Sequence, residues 1–279
     1  DIKAMQQQVE TAIKSVYASV YFTNSKAYME ATSNMIDEEK MSIIMQELCG
    51  TRYGDYFYPN ISGTARSINF YPLGPEQSYD GIAKVALGLG KTIVEGGKSL
   101  RFSPKYPAKA LQLSSPEVAL RDTQKYFYAL DLHPDQFAPS VDDSINLKRL
   151  RVKEAEKHKS IKHIASTFDL HNNIMRDGAH YDGKKIITFS NILKHKTFPL
   201  ADIVADLLQI GQDELNNPVE IEFAVNLNPP RGCPRVFNFL QIRPIVDTLE
   251  SEHVEIKKRD YENMIVYSQS ALGNGLITD

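Results

Sequence analysis

Glu220-Ile221-Glu222-Phe223-Ala224 and, after a break, Phe239-Leu240-Gln241-Ile242-Arg243-Pro244 are the stretches whose reading decides this chain. Each carries apolar residues at every second position, the period of a β-strand. Pro229-Pro230-Arg231-Gly232-Cys233-Pro234 between them supplies turn chemistry for two antiparallel partners. Side chains alternate across a strand, so Glu220 and Glu222 point the same way, as do Gln241 and Arg243. One register then sets two carboxylates beside an amide and a guanidinium. Strict alternation puts Phe237 and Phe239 on the face of Gln241 and Arg243. It leaves Val219, Ile221, Phe223, Leu240 and Ile242 on the other, so both faces read as at least half buried.

Such a constellation suits a nucleoside triphosphate. Mg2+ takes one or two carboxylates plus phosphate oxygens, an amide oxygen can complete the shell, and a guanidinium fork pairs with a terminal phosphate. The same residues also fit a plain cross-strand Glu/Arg pair, worth about 0.2–1 kcal/mol. Spacing alone leaves both readings open.

The pair of stretches resembles the end of the ATP-grasp nucleotide-binding half of phosphoenolpyruvate synthase and pyruvate phosphate dikinase, where an acidic-x-Glu strand precedes one ending in Gln-x-Arg. Further stretches line up in order: Val16 to Ser19 through Ala27-Tyr28, Met45-Gln46-Glu47-Leu48, Ile61-Ser62-Gly63-Thr64-Ala65-Arg66-Ser67, and Gly88 to Gly96. The resemblance implies an α+β, ATP-grasp-like subdomain, mainly antiparallel sheet with flanking helices, over residues 1–245. Residues 246–279 would be a linker and the start of a phosphohistidine domain. It implies transfer of a phosphoryl group from ATP to an enzyme histidine and then to pyruvate, with Mg2+ and ATP as cofactors. Glu222 would be the principal metal ligand and Glu220 a second or outer-shell acid. Gln241 would partner metal or phosphate, Arg243 would clamp the terminal phosphates, and Glu47 and Leu48 would contact the adenine. The alternative is a regulatory or assembly module that keeps the fold without turnover. One departure favours it: Lys91 stands where these families commonly carry an acidic residue.

Composition agrees with a globular enzyme piece of 279 residues. A net charge of −3 argues against a nucleic-acid partner, whose phosphates call for a clearly basic surface. The basic run Lys148 to Lys153 therefore reads as the solvated side of one element. Cys49 and Cys233 are too few for a disulfide scaffold, and no stretch is long and apolar enough to span a membrane. The cytoplasm is the expected compartment. The chain starts within helical periodicity and stops on a glycine turn, so it is expected to be cut from a longer protein. The other subdomain, with its phosphate-binding Lys and Arg, would lie upstream, and the phosphohistidine and pyruvate-binding domains downstream. ATP is the expected partner, with pyruvate reached through those domains and a homodimer left open. The isolated piece is expected to be inactive.

Elsewhere the pattern predicts a long helix over about 2–32 and a strand at Met41 to Leu48. Further strands are expected at Thr64 to Tyr71, Gly81 to Leu87 and Lys185 to Ser190, with helices opening at Ser115-Pro116 and at Pro199. Gly90-Lys91-Thr92 imitates a phosphate-binding loop, but the glycine required five residues earlier is Val85; a glycine hinge between strand and helix fits better. The histidines keep no metal-ligand spacing.

Overall fold

The computed structural model describes residues 2–23, 25–26, 41–133, 145–230 and 232–245. Its main body is a five-stranded antiparallel sheet built from β3 (Ile61–Arg66), β4 (Ile82–Ala86), β5 (Leu100–Phe102), β11 (Val219–Asn226) and β12 (Val236–Pro244). The strand order is β12-β11-β3-β4-β5. A second sheet orders β1 (Thr51–Tyr53), β2 (Tyr56–Tyr58), β6 (Tyr126–Asp131) and β7 (Leu147–Arg151), and a third orders β10 (Lys184–Ile187), β8 (Ala165–Asp169) and β9 (Ile174–Asp177). The fold is thus α+β with antiparallel sheets, as expected.

Antiparallel alternation gives the main sheet two unlike faces. Ile61, Ala65, Ala83, Val85, Leu100, Phe102, Val219 and Ile221 are all buried on one. Helix α4 (Leu200–Leu215) covers that face with Leu200, Val204 and Leu208, each worth about 1.5–3 kcal/mol when fully buried. The helix ends where Asn216 turns left-handed at φ 48°, a conformation Asn tolerates. Gly63 is required on this face because the Phe223 ring lies where a Cβ would project, 2.1 Å from its Cζ. The opposite face carries Glu220, Glu222, Thr64, Arg66 and Lys84.

Ser115 caps α3 (Pro116–Asp122) as its sequence signals, its Oγ accepting from the Val118 N–H at 3.3 Å. The glycine hinge is also where it was expected. Gly88 (φ +85°) follows β4, and the chain enters the short helix α2 at Lys91–Val94. The Leu89 N–H bonds the Tyr128 carbonyl at 2.9 Å, pinning the hinge to β6. Asn60, fully buried, ties the junction of the sheets. It accepts from the N–H groups of Leu227 (2.7 Å) and Asn228 (3.2 Å) and donates to the Ser160 carbonyl (2.8 Å).

Three expectations are corrected. The first helix, α1, spans Ile2–Ala18 and is interrupted by a 3-10 turn at Ser19–Tyr21 and an extended Phe22, after which Thr23, Ser25 and Lys26 are helical again. Val16, Tyr17, Val20, Tyr21 and Phe22 are β-branched or aromatic and lose rotamer freedom in a helix. The Ser19 Oγ meanwhile competes for the Val16 carbonyl at 2.7 Å. Residues 41–50 form no strand; an apolar run supplies no ladder without a neighbour to pair with. The third correction concerns β12. Glu222 pairs with Gln241 but Phe223 pairs with Phe239, so Leu240 is an extra residue, a β-bulge. The bulge reverses the alternation. Phe237 and Phe239 stand opposite Val225 and Phe223, away from Glu222, and Phe237 stacks on Phe223 at 5.0 Å. As the edge strand, β12 is half-buried to exposed rather than buried on both faces. Part of the helix expected over 2–32 and all of 246–279 lie outside the described residues.

Candidate functional site

Strand register assembles the site. One row of paired residues crosses all five strands of the main sheet: Gln241, Glu222, Thr64, Lys84 and Arg101. The next row is Arg243, Glu220, Arg66 and Ile82. Both rows face away from α4.

The two acids, although on one face, have opposite surroundings. Glu220 is buried, and each carboxylate oxygen accepts from an arginine: Oε2 from Arg66 Nε, Oε1 from Arg243 Nε at 3.0 Å and from a second Arg243 nitrogen. Burial pushes the Glu220 carboxyl upward, but the hydrogen bonds and charges of Arg243 and Arg66 outweigh it and hold the group below the usual range. Glu222 has no hydrogen bond and no salt bridge with any described residue; Arg243 attracts it only at longer range. Gln241, its register partner, is exposed and uncommitted among the described residues.

Two clefts meet at Glu222. One, of about 430 Å3, is charged: Arg66, Lys84, Arg101, Glu220, Glu222 and Arg243 line it. The other, about 330 Å3, is more apolar, with Leu48, Leu89, Ile93 and Leu240 in its walls beside Glu47 and Lys91. Both include Thr64, Ile93, Val94 and Glu222. The segment carrying Glu47 and Leu48 reaches this wall without being a strand, and Gln46 Nε2 donates to the Leu240 carbonyl exposed by the bulge, at 3.3 Å. Lys91 pairs with Glu95 at 3.2 Å.

The structure therefore brings together Glu47, Leu48, Glu220 and Glu222, with Gln241 and Arg243 on the adjoining strand. It engages Arg243 with Glu220, the ion pair that spacing had left open. It leaves Glu222 with Gln241 as the uncommitted carboxylate–amide pair, a donor set that suits a hard cation sharing phosphate oxygens. Sequence reasoning missed Arg66 as the second partner of Glu220. It lies at every-second-residue spacing from Thr64, but only pairing with β11 reveals its partner. The role of Arg101 was equally hidden. Its guanidinium holds buried Glu76 through two bonds of 3.0 and 2.6 Å, tying the loop before β4 to β5. No helix among the described residues is long and apolar enough to cross a membrane.

Residues 3–264 match the family model of the pyruvate phosphate dikinase AMP/ATP-binding domain, nearly the whole chain. No curated protein matches.

Proposed function

We propose, for a chain that belongs to the pyruvate phosphate dikinase AMP/ATP-binding domain family, that it forms one wall of a Mg-ATP site in a phosphoenolpyruvate synthase-like phosphotransferase. Nucleotide binding is the family's property; the assignment to these residues and to this reaction is our reading. The observation that carries it is Glu222, an uncommitted carboxylate where an apolar cleft meets a charged one. A nucleotide has the same two ends. The base fits the slot beside Glu47, Leu48 and Leu240, and the phosphates reach toward Lys84, Arg66 and Arg243. Glu222 and Gln241 would hold Mg2+, with Glu220 behind them orienting both arginines. A bound Mg2+ neutralises phosphate charge, and the protein's share of phosphoryl transfer is positioning and fixed positive charge. The acceptor, by the same reading, is a histidine of the whole enzyme and then pyruvate.

Hydrogen exchange with and without Mg-ATP tests this. Protection should concentrate in residues 46–49, β11 and β12. Protection confined to residues 145–195 would refute the site. A chain providing only one wall lacks the closure that excludes water, so it should bind Mg-ATP weakly and transfer no phosphate to pyruvate by itself. A second reading, an ATP-responsive module without turnover, is favoured by Lys91 and its pairing with Glu95. It predicts binding by the whole protein with no phosphohistidine formed.

A further inference from the structure

A third cleft, about 530 Å3, shares no lining residue with the two that meet at Glu222. It lies between the Glu95–Lys98 loop that follows α2 and the β6–β7 hairpin. Lys98, Lys125 and Arg149 face it, with Glu95 as the one acid among the described lining residues. Three cations against one carboxylate leave a clear positive surplus. Asp122, nearby, pairs with Arg121 at 2.8 Å and attracts Lys98 and Lys125 only at longer range.

The cations are held in place. Lys98 Nζ donates to the Arg121 carbonyl and Lys125 Nζ to the Leu120 carbonyl, so both ammonium groups are anchored on the last turn of α3. That anchoring uses one or two protons of each and leaves the remainder for a ligand. Arg149 lies with its guanidinium carbon 4.3 Å from the centre of the Tyr126 ring and makes no hydrogen bond or salt bridge with a described residue. Its planar face is satisfied by stacking while its N–H edge stays available. Tyr128, whose hydroxyl donates to Glu95 at 2.8 Å, closes one side of the cleft. Burial first, then the charges of Lys184 and Lys98, hold Lys125 below the ordinary lysine range, against a smaller pull from Asp122. Pre-positioned donors forfeit little conformational freedom when they bind.

We propose that this cleft is a second ligand site, for the phosphate group of a small phosphorylated molecule, separate from the proposed Mg-ATP site. Lys98 and Arg149 supply the outer contacts and Lys125 the inner one. The cleft's size admits more than a bare anion, so a phosphate ester is the class it fits.

The test is an amide chemical-shift titration of the full chain with inorganic phosphate, and separately with ribose 5-phosphate, at constant ionic strength. Shifts should concentrate at residues 95–98 and 125–128. Lys98→Gln with Arg149→Gln removes two exposed side chains and spares the half-buried Lys125; it should weaken binding at least about tenfold, a loss of about 1.4 kcal/mol. Unchanged thermal unfolding of that variant excludes a folding defect, and the single Arg149→Lys variant, which keeps the charge, should lose less. Arg243→Lys should leave these shifts unaltered. No saturable shift with either compound, or affinity indifferent to Lys98 and Arg149, overturns the proposal. So does binding lost instead in Arg243→Lys, which would place the anion in the charged cleft at Glu222. Mg-ATP affinity of the Lys98/Arg149 variant, expected within about twofold of the parent, keeps this result separate from the fate of the ATP reading.

Discussion

Glu220 and Glu222 share one face of β11, yet the protein neutralises only Glu220, which lies between Arg66 and Arg243. The two carboxylates therefore answer substitution differently. On the proposed reading Glu222→Gln should weaken Mg-ATP binding about tenfold or more and shift the melting temperature by no more than about 1 °C, because it breaks no bond with a described residue. Glu220→Gln should do the reverse, destabilising by about 1–3 kcal/mol, since it leaves two guanidinium groups short of a partner. Calorimetric titration and thermal unfolding on the same samples separate the outcomes; equal effects on binding and stability would contradict the division of labour.

The Glu220 carboxyl, held below its usual range, links stability to pH. Its folded value lies under the unfolded value of about 4.3, so the folded state binds this proton less readily. The contribution is complete above the unfolded value and is lost as pH falls through the folded one. The gap in stability between the parent and Glu220→Gln should therefore be constant from pH 6 to 8 and narrow as pH falls below the unfolded value. Denaturant midpoints across that range measure it, and a gap that does not narrow at all on acidification would show that the Arg66–Glu220–Arg243 arrangement is not its source.

Arg243→Lys keeps the charge and gives up the fork. If Arg243 clamps the transferring phosphates as proposed, then in an enzyme carrying this domain that loss should lower kcat by about 100-fold or more. If Arg243 serves only its pair with Glu220, the same variant instead unfolds at lower temperature with near-normal turnover per folded molecule. Steady-state kinetics beside thermal melts distinguish the two.

Gly63→Ala tests the packing of β3 against β11. The added methyl would meet the Phe223 ring at 2.1 Å, and neither strand can retreat without breaking register. Overpacking of this kind costs about 1–3 kcal/mol. The denaturation midpoint should fall accordingly, and Gly63→Ala with Phe223→Leu should recover part of the loss.

The sequence by itself determined what depends on short spans of chain. Side-chain alternation put Glu220 and Glu222 on one face whatever the strand paired with, and the Ser115-Pro116 cap set the start of α3. The apolar stripe from Leu200 to Leu208 marked the helix that covers the sheet, and Gly88 to Gly90 marked the hinge before α2. Composition and motif order carried the family. Only the tertiary structure decided what depends on pairing between distant residues. One bulged residue, Leu240, moved Phe237 and Phe239 away from the face of Gln241, because a single inserted residue reverses a period of two. Residues 41–48 carry the apolar content of a strand, yet Gln46 to Cys49 line the cleft with no ladder to hold them. Arg66 is 154 positions from Glu220 in the chain, and nothing local to either residue specifies that contact. Register across the sheet fixes which acid is paired within the fold and which keeps no partner among the described residues, and register is a property of the whole packed sheet.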